Sequence, residues 1–459
     1  MVLGLLTAAA LALGPVVASV APIAPAAFVV PSSIDATGAS DVTDPLNRFL
    51  AEVPDGRTIE LRTGATYRVE GTLVLTDRHD IVLDGNGARV FATSEGARDR
   101  SHLSVEGGSG IVIRDLVVKG AHPSGGIEPE AWRTDKAFQH GVRILGARDV
   151  ELDRVRVTDA FGDLVYVGWD GDGTWSENVW IHDSILARNG RQGIAITAGR
   201  NVVIERNIIT ETRRATIDLE PDTPSFGAVN IHILDNLIGP GKLRFIAAHG
   251  NGPVEQVVVA RNVLRGRDLA IDIEPPEGER RSGFWLLGNE SDAEAGSTPL
   301  RFTRLDGVLV RGNVQPVHET RPAVTGRDVC GLEIDTNTFR GAATVVEATG
   351  VVCPSPLAGS PPPTPGLVGR VADVHPGAGP ARNGGVASAL GEGPAAGEQQ
   401  VGGEAKEASD GTGGLLRASE PCTLAGLLLG VAASAIGLVV ARRLLAGARR
   451  SVAEVAPQE

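Results

Sequence analysis

Two short segments carry the clearest chemical signal, because each places an aspartate and a glutamate at the same spacing. Residues 217–221 read Ile-Asp-Leu-Glu-Pro and residues 271–275 read Ile-Asp-Ile-Glu-Pro. Aliphatic residues that alternate with acids are typical of a strand with one face in the core and the other in solvent. Clustered carboxylates can share a proton, which raises one pKa, or bind a cation such as Ca²⁺. The first arrangement supplies a general acid, and the second places a positive charge beside an anionic group.

These segments lie within a repeat that runs along most of the chain. Each copy has aliphatic residues at i and i+2, followed by a turn residue that is usually Asn. The first positions of successive copies are 23 to 39 residues apart. The first residues of the copies are Ile81, Ile111, Val150, Val179, Val202, Ile231, Val257, Phe284, Val308 and Leu332. A period in the twenties with this alternation predicts an all-β solenoid with one turn per repeat.

Seven of the copies carry the turn asparagine. These residues are Asn86, Asn207, Asn236, Asn262, Asn289, Asn313 and Asn337. Stacked turns would place the asparagines above one another, so we expect a ladder of side-chain amides that satisfies backbone groups of the turns. Their role is therefore interpreted as structural.

The repeats and the segment before them resemble a known fold. Residues 35–38 (Asp-Ala-Thr-Gly), 44–50 and 64–67 (Gly-Ala-Thr-Tyr) are similar to the start of pectate-lyase-like chains. Over roughly residues 34–348 the chain resembles the right-handed parallel β-helix of the pectate-lyase and polygalacturonase superfamily. The resemblance implies about ten or more coils and a short helix that plugs the first one. It leaves the activity open, since this superfamily contains lyases, hydrolases, epimerases, tailspikes and inert surface proteins.

Constant register would superpose the two acidic segments. We expect Asp218 and Asp272 two coils apart, about 9.6 Å at their backbones, because adjacent coils lie about 4.8 Å apart. Leaning side chains could then span the roughly 6.5–9.5 Å that separates the carboxyl groups of inverting glycosidases. Glu220, His249 and Glu274 would stack beside them at steps of one coil. These five residues are the candidate catalytic or metal-binding groups, although an acid pair on a strand can also simply face solvent.

Aromatic and basic residues near these strands are candidates for binding the substrate. Tyr166 is in the same column, and Trp169 and Trp175 flank a loop whose exposed rings would suit stacking on a sugar. Four arginines lie close to one another in sequence and could bind a sugar carboxylate or act as a lyase base. They are Arg191, Arg213, Arg214 and Arg244. These arginines could equally be ion-pair partners of the acids, which is the interpretation we favour.

Comparison with family motifs leaves two functions open. Residues 178–183 (Asn-Val-Trp-Ile-His-Asp) resemble the Val-Trp-Ile-Asp-His stretch of pectate lyases with the last two residues exchanged, but Ala195 stands where those enzymes have a calcium-binding Asp. The motif set of polygalacturonases is also absent. The first hypothesis is a lyase or glycoside hydrolase that acts on an extracellular polysaccharide. The alternative is a non-catalytic surface module that binds glycan or a cell-wall partner.

Composition divides the chain into five segments. Residues 1–27 resemble a secretory signal, and residues 28–353 form the predicted β-helix. Residues 354–421 are rich in Pro, Gly and Ala, which predicts a disordered linker. Residues 422–441 predict a transmembrane helix, and residues 442–459 form a basic tail.

The charged residues predict how the chain is oriented in a membrane and which class of partner is excluded. The arginines that follow the apolar segment predict a cytoplasmic C-terminus, so the β-helix would lie outside the cell on a single-pass anchor. The net charge of −13 argues against a nucleic-acid partner.

The cysteines fit an exported protein. Cys330 and Cys353 are about one coil apart and flank the last repeat, which predicts a disulfide at the end of the solenoid. Cys422 is left over at the membrane boundary, where a lipid attachment or a free thiol are both open.

Overall fold

The computed structural model describes residues 27–294, 300–342, 344–350, 353 and 362–365. The predicted signal segment up to residue 26, nearly all of the linker, the apolar segment 422–441 and the basic tail lie outside these residues. Within the part that is described, no helix has the length and apolar character needed to cross a lipid bilayer.

The chain folds into a right-handed parallel β-solenoid of about 11 turns. A typical turn contributes three strands, which we assign to face 1, face 2 and face 3 in chain order. In the described part of the chain, faces 1 and 2 belong to one 21-stranded sheet, and face 3 is a separate 12-stranded sheet. All of the strand pairings in both sheets are parallel, as the repeat predicts.

Face 1 consists of eight strands, which are β5 (Leu73–Thr76), β8 (Leu103–Glu106), β11 (Val142–Leu145), β14 (Val165–Gly168), β17 (Ile194–Ile196), β20 (Ile217–Leu219), β23 (Ile246–Ala248) and β26 (Ile271–Ile273). Face 2 consists of β1 (Phe28–Val29), β3 (Thr58–Glu60), β6 (His79–Asp84), β9 (Ser109–Arg114), β12 (Arg148–Asp153), β15 (Ser176–His182), β18 (Gly199–Glu205), β21 (Ala228–Leu234), β24 (Val254–Ala260) and β27 (Arg281–Leu287). Near the C-terminal end the loop between these faces disappears, and the long strands β29 (Leu300–Arg311) and β31 (Pro322–Asp335) run through both. The last strand within the described residues is β33 (Thr344–Thr349).

Face 3 consists of short strands. They are β2 (Thr37–Asp41), β4 (Thr66–Arg68), β7 (Arg89–Phe91), β10 (Val117–Lys119), β13 (Arg156–Ala160), β16 (Ile185–Asn189), β19 (Ile208–Thr210), β22 (Leu237–Ile238), β25 (Val263–Leu264), β28 (Glu290–Ser291), β30 (Val314–Pro316) and β32 (Thr338–Arg340). Two short 3-10 helices, Pro129–Ala131 and Thr134–Lys136, lie in the long connection that leads from β10 to β11.

The predicted register is confirmed on face 2. The ten first residues of the repeat pair in one uninterrupted column that runs from Ile81 to Leu332. All of the members up to Val308 are at least 99% buried. Burial of each aliphatic side chain stabilises the fold by roughly 1.5–3 kcal/mol, so the columns of inward residues form one continuous core.

The asparagine ladder forms in six of the seven predicted turns. From Asn207 to Asn337, each amide nitrogen donates to the side-chain oxygen of the next asparagine at 2.9–3.0 Å. Asn86 is isolated from the ladder, because the three intervening turns lack asparagine, and it donates instead to the Leu61 carbonyl. Most of the ladder is fully buried, so its hydrogen bonds satisfy backbone groups that water does not reach.

A second amide ladder, which the sequence analysis did not predict, crosses face 2. Asn178 donates to Asp149, Asn201 to Asn178 and Asn230 to Asn201 at 2.8–3.0 Å. All four residues have positive φ values of 52–56°. Asp and Asn tolerate this conformation better than most residues, which explains why they recur at this position.

The two ends of the solenoid are closed differently. At the N-terminal end, helix α1 (Thr43–Glu52) places Leu46 and Leu50 in the core. At the C-terminal end, a disulfide joins Cys330 to Cys353 with their Cα atoms 4.7 Å apart, so the structure contains the pairing predicted from the sequence.

Candidate functional site

The outward side chains of face 1 stack in the register predicted from the sequence. Tyr166 pairs with Ala195, Ala195 with Asp218, and Asp218 with Ala247, which pairs with Asp272. The two aspartates therefore share one column and are separated by a single intervening coil. Neither lies on the opposite wall of the solenoid.

A second column lies one position beyond these strands. Glu220 donates its backbone N–H to Ile196 one coil away, and Glu274 donates its own to Ala248. His249 directly follows Ala248, so it lies between the two glutamates at a step of one coil. The predicted acids and histidine are thus brought to one face of the solenoid.

Asp218 is a buried acid with a perturbed pKa. Its side chain accepts a hydrogen bond from the Gln192 amide, and the residue is 6% exposed. Burial, together with the negative charge of nearby Glu220, raises its pKa to about 7. Near neutral pH the protonated and ionised forms are therefore both populated, which is the property required of a general acid.

Asp163, which the sequence analysis did not single out, lies beside this group. Its carboxylate accepts hydrogen bonds from Arg191 at 2.8 Å and from the Gln192 backbone at 2.9 Å, and His140 Nδ1 lies 3.2 Å away. Burial alone would raise the pKa of Asp163, but Arg191 and His140 outweigh it and hold the pKa below its usual range. The site thus places an ionised carboxylate beside a partly protonated one.

Arg191 connects Asp163 to Glu220 of the second column. Its guanidinium contacts Asp163 at 2.8 Å and Glu220 at 3.3 Å. Burial would lower its pKa, yet the attraction of these carboxylates raises it, so the arginine is a fixed cation. This geometry agrees with the interpretation that Arg191 is an ion-pair partner of the acids.

Tyr166 closes the site on the N-terminal side. Thr197 donates a hydrogen bond to its hydroxyl oxygen at 2.8 Å, and the His140 ring stacks on the tyrosine ring at 4.6 Å between centroids. Burial raises the pKa of Tyr166 to about 12, so the phenol remains neutral. We therefore assign Tyr166 to the wall of the site and not to proton transfer.

Asp272 has a different environment although it occupies the same column. Arg301 and Arg244 donate to its carboxylate at 2.8 and 3.2 Å, and His249 Nε2 lies 3.9 Å away. Beside it, Glu274 accepts a hydrogen bond from Arg327 at 2.6 Å. These acids are thus engaged by arginines.

The predicted aromatic residues bound face 1 where its strands lead into face 2. Trp169 stacks on Phe226 at 4.1 Å, and Trp175 donates its indole N–H to the Ser225 carbonyl at 3.3 Å. Arg200 lies over the Trp175 ring at 5.0 Å. The tryptophans therefore hold the loop of residues 220–227 in place, and part of their ring surface is already covered.

The connection between β10 and β11 bounds the opposite end of the face 1 strands. Its Trp132 ring is contacted by the Arg214 guanidinium at 5.1 Å, and its His122 stacks on Phe161 at 4.3 Å. Arg214, a candidate sugar ligand, thus contacts the long connection. We define the site groove as face 1 between this connection and the loops that lead into face 2.

Two features explain why sequence reasoning did not place Asp163, Gln192 and His140 beside Asp218. They lie in turns that precede face 1 strands, and they belong to no repeated motif. Only the stacking of coils brings His140, Asp163 and Gln192 together, since successive members are separated by 23 to 29 residues in the chain.

Known proteins share the fold. A family model described as "Right handed beta helix region" matches residues 101–291. No curated protein sequence matches the chain.

Three solved structures show a similar arrangement of the chain. A family 28 exopolygalacturonase from Yersinia enterocolitica is 13% identical and aligns over 72% of this chain and 78% of its own, with a TM-score of 0.51. An endo-xylogalacturonan hydrolase from Aspergillus tubingensis is 14% identical over 72% of this chain and 99% of its own (TM-score 0.49). The surface protein and adhesin PfbA from Streptococcus pneumoniae is 13% identical over 70% of this chain and 100% of its own (TM-score 0.49). At such identities the likeness concerns the fold alone.

Proposed function

We propose that this chain is an exported, membrane-anchored β-helix protein whose groove hydrolyses glycosidic bonds of an extracellular polysaccharide. The anchor would be the apolar segment predicted at residues 422–441. Asp218 would donate a proton to the oxygen of the leaving sugar. Glu220, whose side chain is partly exposed, would activate water. Arg191, held by Asp163, would orient Glu220 and bind hydroxyl or carboxylate oxygens of the substrate.

One observation carries this proposal, namely that Asp218 is a buried acid whose pKa is raised to about 7 on a face that also carries Glu220 and Arg191. Asp163 stays ionised, since its pKa is lowered, and it holds Arg191 in place. A carboxyl group that keeps its proton near neutral pH is suited to be the general acid of glycoside hydrolysis. The Yersinia exopolygalacturonase, which has a similar fold, is named for activity on such a polymer, and this agrees with the proposed substrate class.

Hydrolysis is favoured over β-elimination by the position of Arg191. A lyase needs a base near the sugar carbon that loses its proton. Arg191 cannot readily serve, because its guanidinium is engaged by two carboxylates at 2.8 and 3.3 Å. Its charge therefore suits binding and orientation better than proton abstraction.

The test is a panel of neutral and acidic polysaccharides assayed with the full-length protein. We expect new reducing ends without unsaturated products, and loss of this activity in Asp218→Asn. Asp235→Asn is the matched control, since Asp235 forms an exposed ion pair with Arg261 outside the groove. Unsaturated products would replace hydrolysis by elimination, and unchanged turnover in Asp218→Asn would remove Asp218 from the mechanism.

A second candidate function is glycan binding without cleavage, and the C-terminal part of the groove favours it. Asp272 is engaged by Arg244 and Arg301, and Glu274 by Arg327. Such an ion-paired surface can bind polar sugar groups without a free acid or base. Binding on a glycan array with no product from any bound glycan would support this function against hydrolysis.

A further inference from the structure

A cluster on face 2, outside the site groove, combines one histidine with several carboxylates from two adjacent coils. Strand β12 contributes Glu151 and Asp153, and strand β15 contributes His182, which pairs in register with Asp153. Asp183 follows directly after His182. Oxygen atoms of Asp153 and Asp183 and a ring nitrogen of His182 all lie within 4.8 Å of one another.

The two nitrogens of His182 have different surroundings. Nε2 lies 3.0 Å from Glu151 Oε1, whereas Nδ1 faces Asp183 Oδ2 at 2.7 Å and Asp153 Oδ1 at 3.6 Å. Both ring nitrogens thus face a carboxylate. An ion at Nδ1 would take the place of the proton shared there with Asp183, while Nε2–H would continue to donate to Glu151. Metal-binding histidines typically donate their second N–H to a carboxylate in this way.

The spacing at Nδ1 suits a small divalent ion. Tetrahedral ligands at about 2.0–2.2 Å from zinc lie roughly 3.4 Å from one another. The two distances from Nδ1 to the aspartate oxygens, 2.7 and 3.6 Å, bracket that value. The described positions therefore require only small side-chain adjustments to bind an ion.

An unpaired buried oxygen provides a second, independent indication of a ligand. Asp153 Oδ1, one of the atoms that face Nδ1, has no hydrogen-bond partner among the described residues. The residue is more than nine-tenths buried. A buried carboxylate oxygen without a partner is costly, and a bound cation would remove that cost.

Charge in the cluster is also unbalanced. The cluster contains three carboxylates, those of Glu151, Asp153 and Asp183, but in the described part of the chain only two arginines pair with them directly: Arg154 with Asp153 and Arg206 with Asp183. A neutral histidine therefore leaves one negative charge of the cluster uncompensated. A divalent cation would offset this charge.

We propose that Asp153, His182 and Asp183 form a binding site for a divalent transition-metal ion of the zinc type, supported by Glu151 at the far nitrogen of the histidine. One nitrogen and two carboxylate oxygens are ligands that such ions accept. The ion would connect adjacent coils through β12 and β15. The Asp183 side chain is 41% exposed, which leaves a route for the ion and room for water as a further ligand.

The test is calorimetric titration of the chelator-treated, full-length protein with Zn²⁺. We expect one ion per chain in the wild type. Asp183→Asn should weaken binding by more than the roughly 10–100-fold that is typical of changes to supporting partners, and Glu151→Gln should fall within that range. Asp235→Asn is the matched control, because Asp235 occupies the equivalent turn two coils further and pairs with Arg261 in the same bidentate way.

The outcomes separate this site from its alternatives. Absence of stoichiometric binding would overturn the proposal, since His182 would then serve only as a partner of the surrounding carboxylates. Equal affinity in wild type and Asp183→Asn would place the ion elsewhere and also overturn it. Because Asp183 is partly exposed, its variant should remain folded, and thermal unfolding without metal checks this. Visible absorption of bound Co²⁺ that is lost in Asp183→Asn would support the proposed ligands.

Discussion

Asp218 and Asp272 occupy the same column in nearly identical segments, yet their environments differ. Asp218 is contacted by the neutral Gln192 amide and lies close to Glu220, so its pKa is raised to about 7. Asp272 is contacted by the guanidinium groups of Arg244 and Arg301. The comparison shows that the repeat determines where an acid lies, whereas neighbouring coils determine what it can do.

The largest expected difference between the two positions is in turnover. If the proposed hydrolysis takes place, Asp218→Asn should reduce kcat by roughly 10²–10⁴-fold, because it removes the general acid. Asp272→Asn should reduce it far less, since Asp272 is already neutralised by arginines. Release of reducing ends measures both, and equal losses in the two variants would contradict the functional difference between them.

The effect of Asp218→Asn on stability should be opposite to its effect on turnover, because the variant loses activity but should gain stability at high pH. The folded state raises the pKa of Asp218 from 3.8 to about 7, so the stability linked to its protonation is fully present below pH 3.8 and is lost as the pH rises toward 7. Asp218→Asn does not titrate, and at pH 8 it should be more stable than the wild type by up to about 4 kcal/mol. Denaturant unfolding at pH 4 and pH 8 tests this. A difference between the proteins that is the same at both pH values would show that the cause is not titration.

The negative charge of Glu220 provides a further test of the difference between the two aspartates. Glu220→Gln removes a charge that, after burial, helps to raise the pKa of Asp218, so this pKa should fall toward its ordinary value. Carboxyl titration followed by ¹³C NMR measures the shift. Glu274→Gln is the matched control, because Glu274 lies two coils away and should leave the titration of Asp218 unchanged. An equal shift in both variants would point to a general electrostatic effect.

The smallest effect is expected at the exposed ion pair between Glu274 and Arg327. Both side chains are about half exposed or more, at 47% and 61%. Exposed pairs of this kind typically contribute about 0–1 kcal/mol, so Glu274→Gln should change the free energy of unfolding by no more than that. Chemical denaturation provides the measurement, and a loss well above this range would mean that Glu274 has a structural role.

The sequence predicted the columns of the fold because periodicity alone determines them. Every first position from Ile81 to Leu332 falls into register, and the amides from Asn207 to Asn337 form the expected ladder. Asp218 and Asp272 likewise lie in one column. These features depend only on which residues recur at a fixed spacing.

The partners of the acids could not be predicted in the same way. Asp163, Gln192 and His140 precede strands in turns of different length, and nothing in their local sequence marks them as neighbours of Asp218. On face 2, the sequence drew attention to residues 178–183 but not to Glu151 and Asp153, which come from the preceding coil. Contacts between coils depend on the path of each turn, and a repeat of apolar positions does not encode that path.

The disulfide between Cys330 and Cys353 affects how the solenoid unfolds from its C-terminal end. All six residues of β33 are exposed, and β31 is its only partner strand in the described part of the chain. Repeat proteins can unravel from their ends, and a free strand edge invites pairing with another chain. The cystine closes a 23-residue separation, which by chain entropy is worth roughly 3 kcal/mol. The disulfide therefore opposes unfolding from the C-terminal end. Under reducing conditions the last coil would detach more readily and expose a strand edge that can pair with another copy of the chain.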